Sequence, residues 1–325
     1  MTWLLTGGAG YIGAHIVRAL QDIGREVVVV DDLTSGFAEH IPDSVPLIHA
    51  NVLDTDVLEA TMRDHDVVGV VHLAAKKAVG ESVERPLYYY EQNVTAMCHL
   101  LEAMERVDIK RLLFSSSSAT YGDVLVDTVT EETPKHPTSP YGETKLIGEW
   151  LMKAQSTAVG MSYVSLRYFN VAGAGSPELG DQGAANLIPL VFRALTAGQR
   201  PKVFGADWPT RDGSCIRDYI HVVDVARAHA AAVRILDENA PSGKVHGRVF
   251  NIGTGLGSTV LEVINVACEV TGIFIEPEIV ERRPGDPARI VADPSAAERE
   301  LGWKATHDLR DMVASAWASW QQQDH

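Results

Sequence analysis

Cysteine is scarce in this chain: Cys98, Cys215 and Cys268 are the only three among 325 residues, odd in number and widely spaced. They form neither a disulfide framework nor the paired spacing of a zinc site, and they fit a reducing compartment, so a cytoplasmic location is expected. Long apolar runs are also missing. No stretch approaches the ~20 residues that a membrane-spanning helix requires, and residues 1–6 are too short an apolar run for a signal peptide before the first glycines. The twelve histidines do not gather at metal-ligand spacings, and neither H-E-x-x-H nor G-x-S-x-G occurs. Metalloprotease and serine-hydrolase chemistry are therefore not indicated, and no metal is expected. Positive charge is in deficit as well, with 28 Lys and Arg against 43 Asp and Glu, a net charge of −15. A field of that sign repels polyanions, which argues against nucleic-acid and anionic-membrane partners. A phosphate ligand would need a local basic pocket.

What the chain does contain is 46% hydrophobic residues with 22% charged ones, enough for a large core or two lobes. Apolar, β-branched runs at 26–30, 67–72, 111–114 and 163–166 alternate with helical spacing at 12–20, 88–106 and 141–155. This alternation predicts an α/β fold, a doubly wound parallel sheet wrapped by helices. After Asn170 the pattern changes, and Gly, Pro, Asp and Ala crowd residues 173–183. The expected division is a dinucleotide-binding domain over 1–172 and a smaller α/β substrate lobe over 173–325. The long helix expected at 224–236 and the strand expected at 248–252 read as segments that return to the first domain.

Directly after the first strand, Gly7, Gly8, Gly10 and Gly13 satisfy both G-x-G-x-x-G and G-x-x-G-x-x-G. Missing Cβ atoms let the backbone turn sharply and approach a pyrophosphate seated at a helix N-terminus. Alone, this spacing also fits a strand-to-helix turn without a ligand. The second strand, however, ends in Asp31 and Asp32, at the offset where a carboxylate grips the adenosine ribose. A carboxylate there repels the extra phosphate of NADP, and no arginine follows immediately. NAD is the expected cofactor.

Tyr141 and Lys145 stand four residues apart, on one face of a helix whose start Pro140 marks. An ammonium beside a phenol, together with a positive nicotinamide ring, favours phenolate, so Tyr141 is a candidate general base. Such a pair also occurs on solvated helix faces. Upstream, the strand ending at Phe114 runs into Ser115, Ser116, Ser117 and Ser118. These hydroxyls sit at the carboxyl end of a central strand, where ligands bind in open α/β sheets.

With these motifs in place the chain resembles the extended short-chain dehydrogenases/reductases, and among them the UDP-sugar 4-epimerases. The likeness spans nearly the whole chain. It rests also on Lys77-Ala78-Val79-Gly80-Glu81-Ser82, Arg167-Tyr168-Phe169-Asn170, Arg217-Asp218-Tyr219-Ile220-His221-Val222 and Arg282-Arg283-Pro284-Gly285-Asp286. The resemblance implies interconversion of UDP-galactose and UDP-glucose on a tightly held NAD, with Tyr141 taking the proton of the sugar 4-hydroxyl. Ser117 would bond that oxygen, and Lys145 would hold the cofactor ribose and lower the tyrosine pKa.

By the same resemblance Gly7, Gly10, Tyr11, Ile12, Gly13, Asp31, Asp32, Asn51, Val52, Leu73, Ala74, Ala75, Lys77, Gln92, Tyr141, Lys145 and Phe169 contact NAD, with Phe169 beside the nicotinamide. Ser117, Tyr141, Asn170, Asn186, Leu187, Phe204, Arg217, Arg283 and Asp286 would bind the UDP-sugar, the two arginines serving its diphosphate. A homodimer through helices 88–106 and 141–155 is implied too, although their apolar faces fit packing on the sheet equally. Asn51 and Gln92 depart from the family's usual aspartate and asparagine or threonine. The serine register leaves Ser118 as second choice. Dehydratases of the family carry an Asp-Glu pair where Ser118 and Ala119 stand, which argues against elimination chemistry. Ile290 occupies the position that limits space near the sugar and favours unacetylated hexoses over N-acetylated ones. UDP-glucuronate and N-acetylated sugars stay open as substrates, as does a dinucleotide-sensing protein without catalysis.

Overall fold

The computed structural model describes residues 1–124, 126–183, 186–240, 245–283 and 286–322. In chain order the strands are β1 (Thr2–Thr6), β2 (Glu26–Asp31), β3 (Leu47–His49), β4 (Val67–His72), β5 (Arg111–Ser117), β6 (Ser162–Tyr168), β7 (Asn170–Ala172), β8 (Lys202–Phe204), β9 (Ile216–Arg217), β10 (Tyr219–His221), β11 (Gly247–Ile252), β12 (Ser258–Thr259), β13 (Glu278–Val280) and β14 (Arg289–Ile290). Helices are α1 (Tyr11–Asp22), α2 (Thr55–Asp64), α3 (Val79–Glu84), α4 (Pro86–Tyr89), α5 (Ala96–Arg106), α6 (Pro140–Val159), α7 (Leu187–Thr196), α8 (Val222–Asn239), α9 (Val260–Thr271), α10 (Ser295–Leu301) and α11 (Leu309–Trp320).

Seven strands form one sheet in the order β11-β6-β5-β4-β1-β2-β3, and every pairing within it is parallel. Buried on both faces, these strands are near-continuous apolar runs, such as Val27 to Val30, rather than alternating ones. One face is covered by α1 and α8, where Ile16, Val17 and Leu20 pack with Val225, Val233 and Leu236. The other is covered by α2, α5 and α6 through Leu58, Met62, Met97, Leu100, Met104 and Met152. A third core joins α7, α9 and α11 through Phe192, Val263, Ile264 and Trp320. β11 pairs with β6 along its whole length, so a segment beyond residue 173 completes the main sheet.

The run 88–106 is not one uninterrupted α-helix. It comprises the end of α4, a π-helical stretch at Tyr90–Thr95, and α5. The wider turn points Asn93 inward, where its side chain bonds both the N–H and C=O of Lys76 and the Thr144 hydroxyl on α6. Such π-bulges concentrate at functional sites.

Candidate active site

Two local features aim α6. Ser139 caps its start by accepting from the Gly142 N–H at 3.2 Å, and Pro140 opens its first turn. A Cβ on Gly142 would lie 2.5 Å from the Ala119 carbonyl oxygen, so only glycine lets α6 pack this tightly on the end of β5. That contact delivers Tyr141 to the serine run. The Ser117 hydroxyl lies beside the Tyr141 phenol and favours its ionised form, and Ser117 Oγ accepts from the Ala119 N–H at 3.1 Å. Ser117 is thus the serine that meets Tyr141.

One turn along α6, buried Lys145 donates from Nζ to the Ser115 carbonyl at 2.8 Å, and its Nζ lies 6.0 Å from the Tyr141 ring centre. Burial pushes its pKa down to about 8, with Glu149 opposing that shift. The phenol of Tyr141 is raised by burial, and the Ser117 hydroxyl only partly offsets it. The expected lowering of the tyrosine by its lysine is therefore not a property of the protein alone, because desolvation dominates at Tyr141.

Tyr141 and Lys145 open into a cleft of about 400 Å³ at the carboxyl ends of β1, β2, β3 and β4, which includes the point where strand order reverses. The structure brings to this cleft Gly7, Gly10, Tyr11, Ile12, Gly13, Asp31, Asp32, Asn51, Val52, Leu73, Ala74, Ala75, Lys77 and Gln92. Phe169 is not among its lining residues. It is buried with Tyr121, Val129, Ile290 and Ala292 behind Tyr168, which does line the cleft. Thr34, Phe37, Lys76, Tyr168 and the segment 180–183 also line it and escaped sequence reading. The crowding of Gly and Asp over 173–183 marked a lobe boundary, whereas the lysine beside Lys77 was the available signal for Lys76.

The cleft fits a dinucleotide. Gly10 caps α1 with no side-chain bond, and no acidic residue occupies the first turn, so its amides are free for an anion. A Cβ on Gly13 would stand 2.3 Å from the Gly7 carbonyl oxygen, so the turn keeps its backbone cradle only with glycine. At the end of β2, Asp31 accepts from the N–H groups of Ala9 and Leu33 at 2.9 and 2.8 Å, which fixes its carboxylate against the turn. Burial raises the Asp31 pKa, while Thr34 and Asn51 bonds and Lys76 hold Asp32 below the usual carboxylate range despite its own burial.

The remaining residues assemble as two groups. Asn170, Asn186 and Leu187 line a smaller pocket between β7, α7 and α11, and Asp181 borders both this pocket and the cleft. Elsewhere the Arg283 guanidinium lies 4.3 Å from the Phe204 ring centre, and Asp286 pairs with Arg283 at 3.2 Å and Arg217 at 3.5 Å. The anticipated basic pocket is partly neutralised by its own aspartate. Asn170 N–H donates to the Asp218 carbonyl, which ties the first group to the strand carrying Arg217. Pro284 and Gly285 of the last motif lie outside the described residues. His221 caps α8 through Val223 N–H and contacts Ser315, a structural role. No cluster of metal-ligating side chains occurs among the described residues, and none of their helices is long and apolar enough to cross a membrane.

A parallel sheet with a glycine turn at its switch point, carboxylates after β2 and a tyrosine-lysine pair facing the same cleft, with Ser117 beside the tyrosine, define a dinucleotide-dependent enzyme of the short-chain dehydrogenase/reductase type. Residues 3–253 match the NAD dependent epimerase/dehydratase family, and the chain belongs to it. It is 43% identical to the UDP-glucose 4-epimerase of Corynebacterium glutamicum over 98% of this chain and 95% of that one. The Bacillus subtilis UDP-glucose 4-epimerase is 39% identical over 99% and 97%. Among solved structures, UDP-glucose 4-epimerase from Bifidobacterium longum in complex with NAD+ and UDP superposes with a TM-score of 0.91 at 37% identity, covering 99% of this chain and 98% of that one.

Proposed function

We propose that this protein interconverts UDP-galactose and UDP-glucose by inverting C4 of the hexose. The observation that carries the reading is the Tyr141-Lys145 pair opening on a cleft that fits NAD, with Ser117 beside Tyr141 at the end of β5. Held by the cleft residues, NAD would supply a reversible hydride acceptor for C4. Tyr141 receives the 4-hydroxyl proton and later returns it, and Ser117 holds the same oxygen by a hydrogen bond. Lys145 keeps a positive charge one turn below, where it favours the ionised phenol and offers donors to the cofactor ribose. Gly7 to Gly13, Asp31 and Asp32 hold the dinucleotide; Asn170, Asn186, Leu187, Phe204, Arg217 and Arg283 hold the UDP-sugar, with Asp286 orienting the two arginines. The substrate lobe runs from residue 173, less α8 and β11. Full-length relatives with the same activity, and one neighbour solved with NAD+ and UDP, support this reading.

The test is to incubate purified protein with UDP-galactose without added reductant and to follow UDP-glucose through a coupled dehydrogenase. Tyr141→Phe should lower kcat by about 10²- to 10⁴-fold, the usual contribution of a general base, while NAD stays bound. Full activity in that variant overturns the assignment. A parallel panel of N-acetylated and uronic UDP-sugars tests the space set by Ile290, which is buried against Phe169 and Tyr121. Activity on none of the sugars would favour a dinucleotide-sensing role.

A further inference from the structure

Behind the site lies a buried ionic network that the reaction as described leaves unused. Glu149 follows Lys145 by one turn of α6, as Lys145 follows Tyr141, so the three side chains share one helix face. Its carboxylate is only 7% exposed yet accepts four hydrogen bonds from three side chains on two strands. Oε1 takes Ser116 Oγ at 2.7 Å from β5, and Ser165 Oγ at 3.3 Å and Arg167 Nε at 2.8 Å from β6; Oε2 takes Arg167 at 2.5 Å. Arg167, 3% exposed, continues to the Tyr121 hydroxyl at 2.9 Å, and Tyr121 donates to Asn251 on β11 at 2.6 Å. One carboxylate thereby ties α6 to the carboxyl halves of β5 and β6, the strands that end at Ser117 and Tyr168.

We propose that Glu149, clasped by Arg167, is a positioning residue for the Tyr141-Lys145 pair, locking its helix face to the strand ends and keeping Lys145 cationic. The inference rests on the catalytic reading of Tyr141 and Lys145 above. A cation as deeply buried as Lys145 must be favoured by an opposite charge nearby, and Glu149 is the acidic group acting on it. The other titratable groups around it supply no negative charge at neutral pH. From β4, His72 is held at about 3 by burial and is neutral. From α8, His229 is held at about 4, with its ring bonded between Ser115 and the Val225 carbonyl. From β6, the Tyr168 phenol is raised by burial, and Arg167 is itself a cation.

The test is the pH profile of kcat from pH 6 to 10 in NAD-loaded protein. Wild type should lose activity as Lys145 deprotonates near its pKa of about 8. Glu149→Gln should move that alkaline limb down by about one pH unit, as expected on losing an opposite charge at this range. Glu149→Asp, which keeps the charge, should leave the limb in place. Because Glu149→Gln strands the Arg167 cation, the double variant Glu149→Gln, Arg167→Met is measured beside it, with circular dichroism and bound NAD as independent readouts of folding and loading. A downward shift in the folded carboxylate-free variants supports the proposal. An alkaline limb unchanged in them overturns it, even when Tyr141→Phe is inactive; activity in Tyr141→Phe instead indicts the catalytic reading itself.

Discussion

Gly13→Ala should strip NAD from this protein, and its cost follows from three distances. A Cβ at residue 13 would stand 2.3 Å from the Gly7 oxygen, 2.7 Å from the Gly8 Cα and 2.8 Å from the Gly8 oxygen. All three are backbone atoms, so no side chain can swing aside and the turn itself must open. Overpacking typically costs about 1–3 kcal/mol, and a backbone-limited clash belongs at the upper end. If about 3 kcal/mol falls on the turn that cradles the pyrophosphate, affinity for NAD drops by about 10²-fold. Nucleotide released from purified protein by acid is quantified chromatographically, and rebinding is followed by calorimetry. Gly80→Ala is the control, since a Cβ there meets nothing within 4 Å. Full NAD content and unchanged affinity in Gly13→Ala would refute the cradle.

Acid should destabilise the fold through buried histidines. Burial holds His15, His221 and His229 at about 4 and His72 at about 3, against 6.5 when unfolded. Between those values the unfolded chain binds more protons, so stability falls as pH drops from about 6.5 towards 4, by up to about 3 kcal/mol for each such group. Urea unfolding at pH 7 and pH 4.5 measures this, and equal midpoints would contradict it. A homodimer through the α4–α5 and α6 faces, as the family resemblance implies, would cover exposed Leu87 and Trp150, at 82% and 60%. Trp150→Glu should then convert a dimer to a monomer in sedimentation, and a monomeric parent would exclude the interface.

Much of the scaffold was legible because its signals are local. The strands at 26–30, 67–72 and 111–114 declare themselves as apolar runs, and the glycines, Asp31 and the Tyr141-Lys145 spacing mark one cleft without any long-range information. The π-turn at Tyr90–Thr95 was not legible, since nothing in Tyr-Glu-Gln-Asn-Val-Thr differs from an ordinary helix until Asn93 finds Lys76 and Thr144 across the fold. The lining segment 180–183 was hidden for the same reason, as was the packing of Phe169 with Tyr121, Val129 and Ile290. Asp286 illustrates a subtler limit. A motif of two arginines and an aspartate reads as three ligand contacts, but the side chains first contact one another.

The ionisation of Tyr141 is where sequence and structure pull apart most usefully. Four-residue spacing from a lysine suggests a phenol already lowered, yet burial raises Tyr141 and lowers Lys145, so each group is pushed towards its neutral form. Desolvation acts on both ions at once, whereas their mutual attraction exists only when both are charged. At pH 7 the protein alone therefore keeps the proton on the phenol. Ser117 offsets part of that penalty, and Glu149, while paired with Arg167, favours the cationic form of Lys145 rather than ionisation of the tyrosine. The remaining driving force for a phenolate must come from a further positive charge in the cleft. On the proposed mechanism Tyr141 would be a base only beside an oxidised nicotinamide, whose ring carries a positive charge. In the protein without that charge it is a buried, protonated phenol, protected from deprotonation at neutral pH.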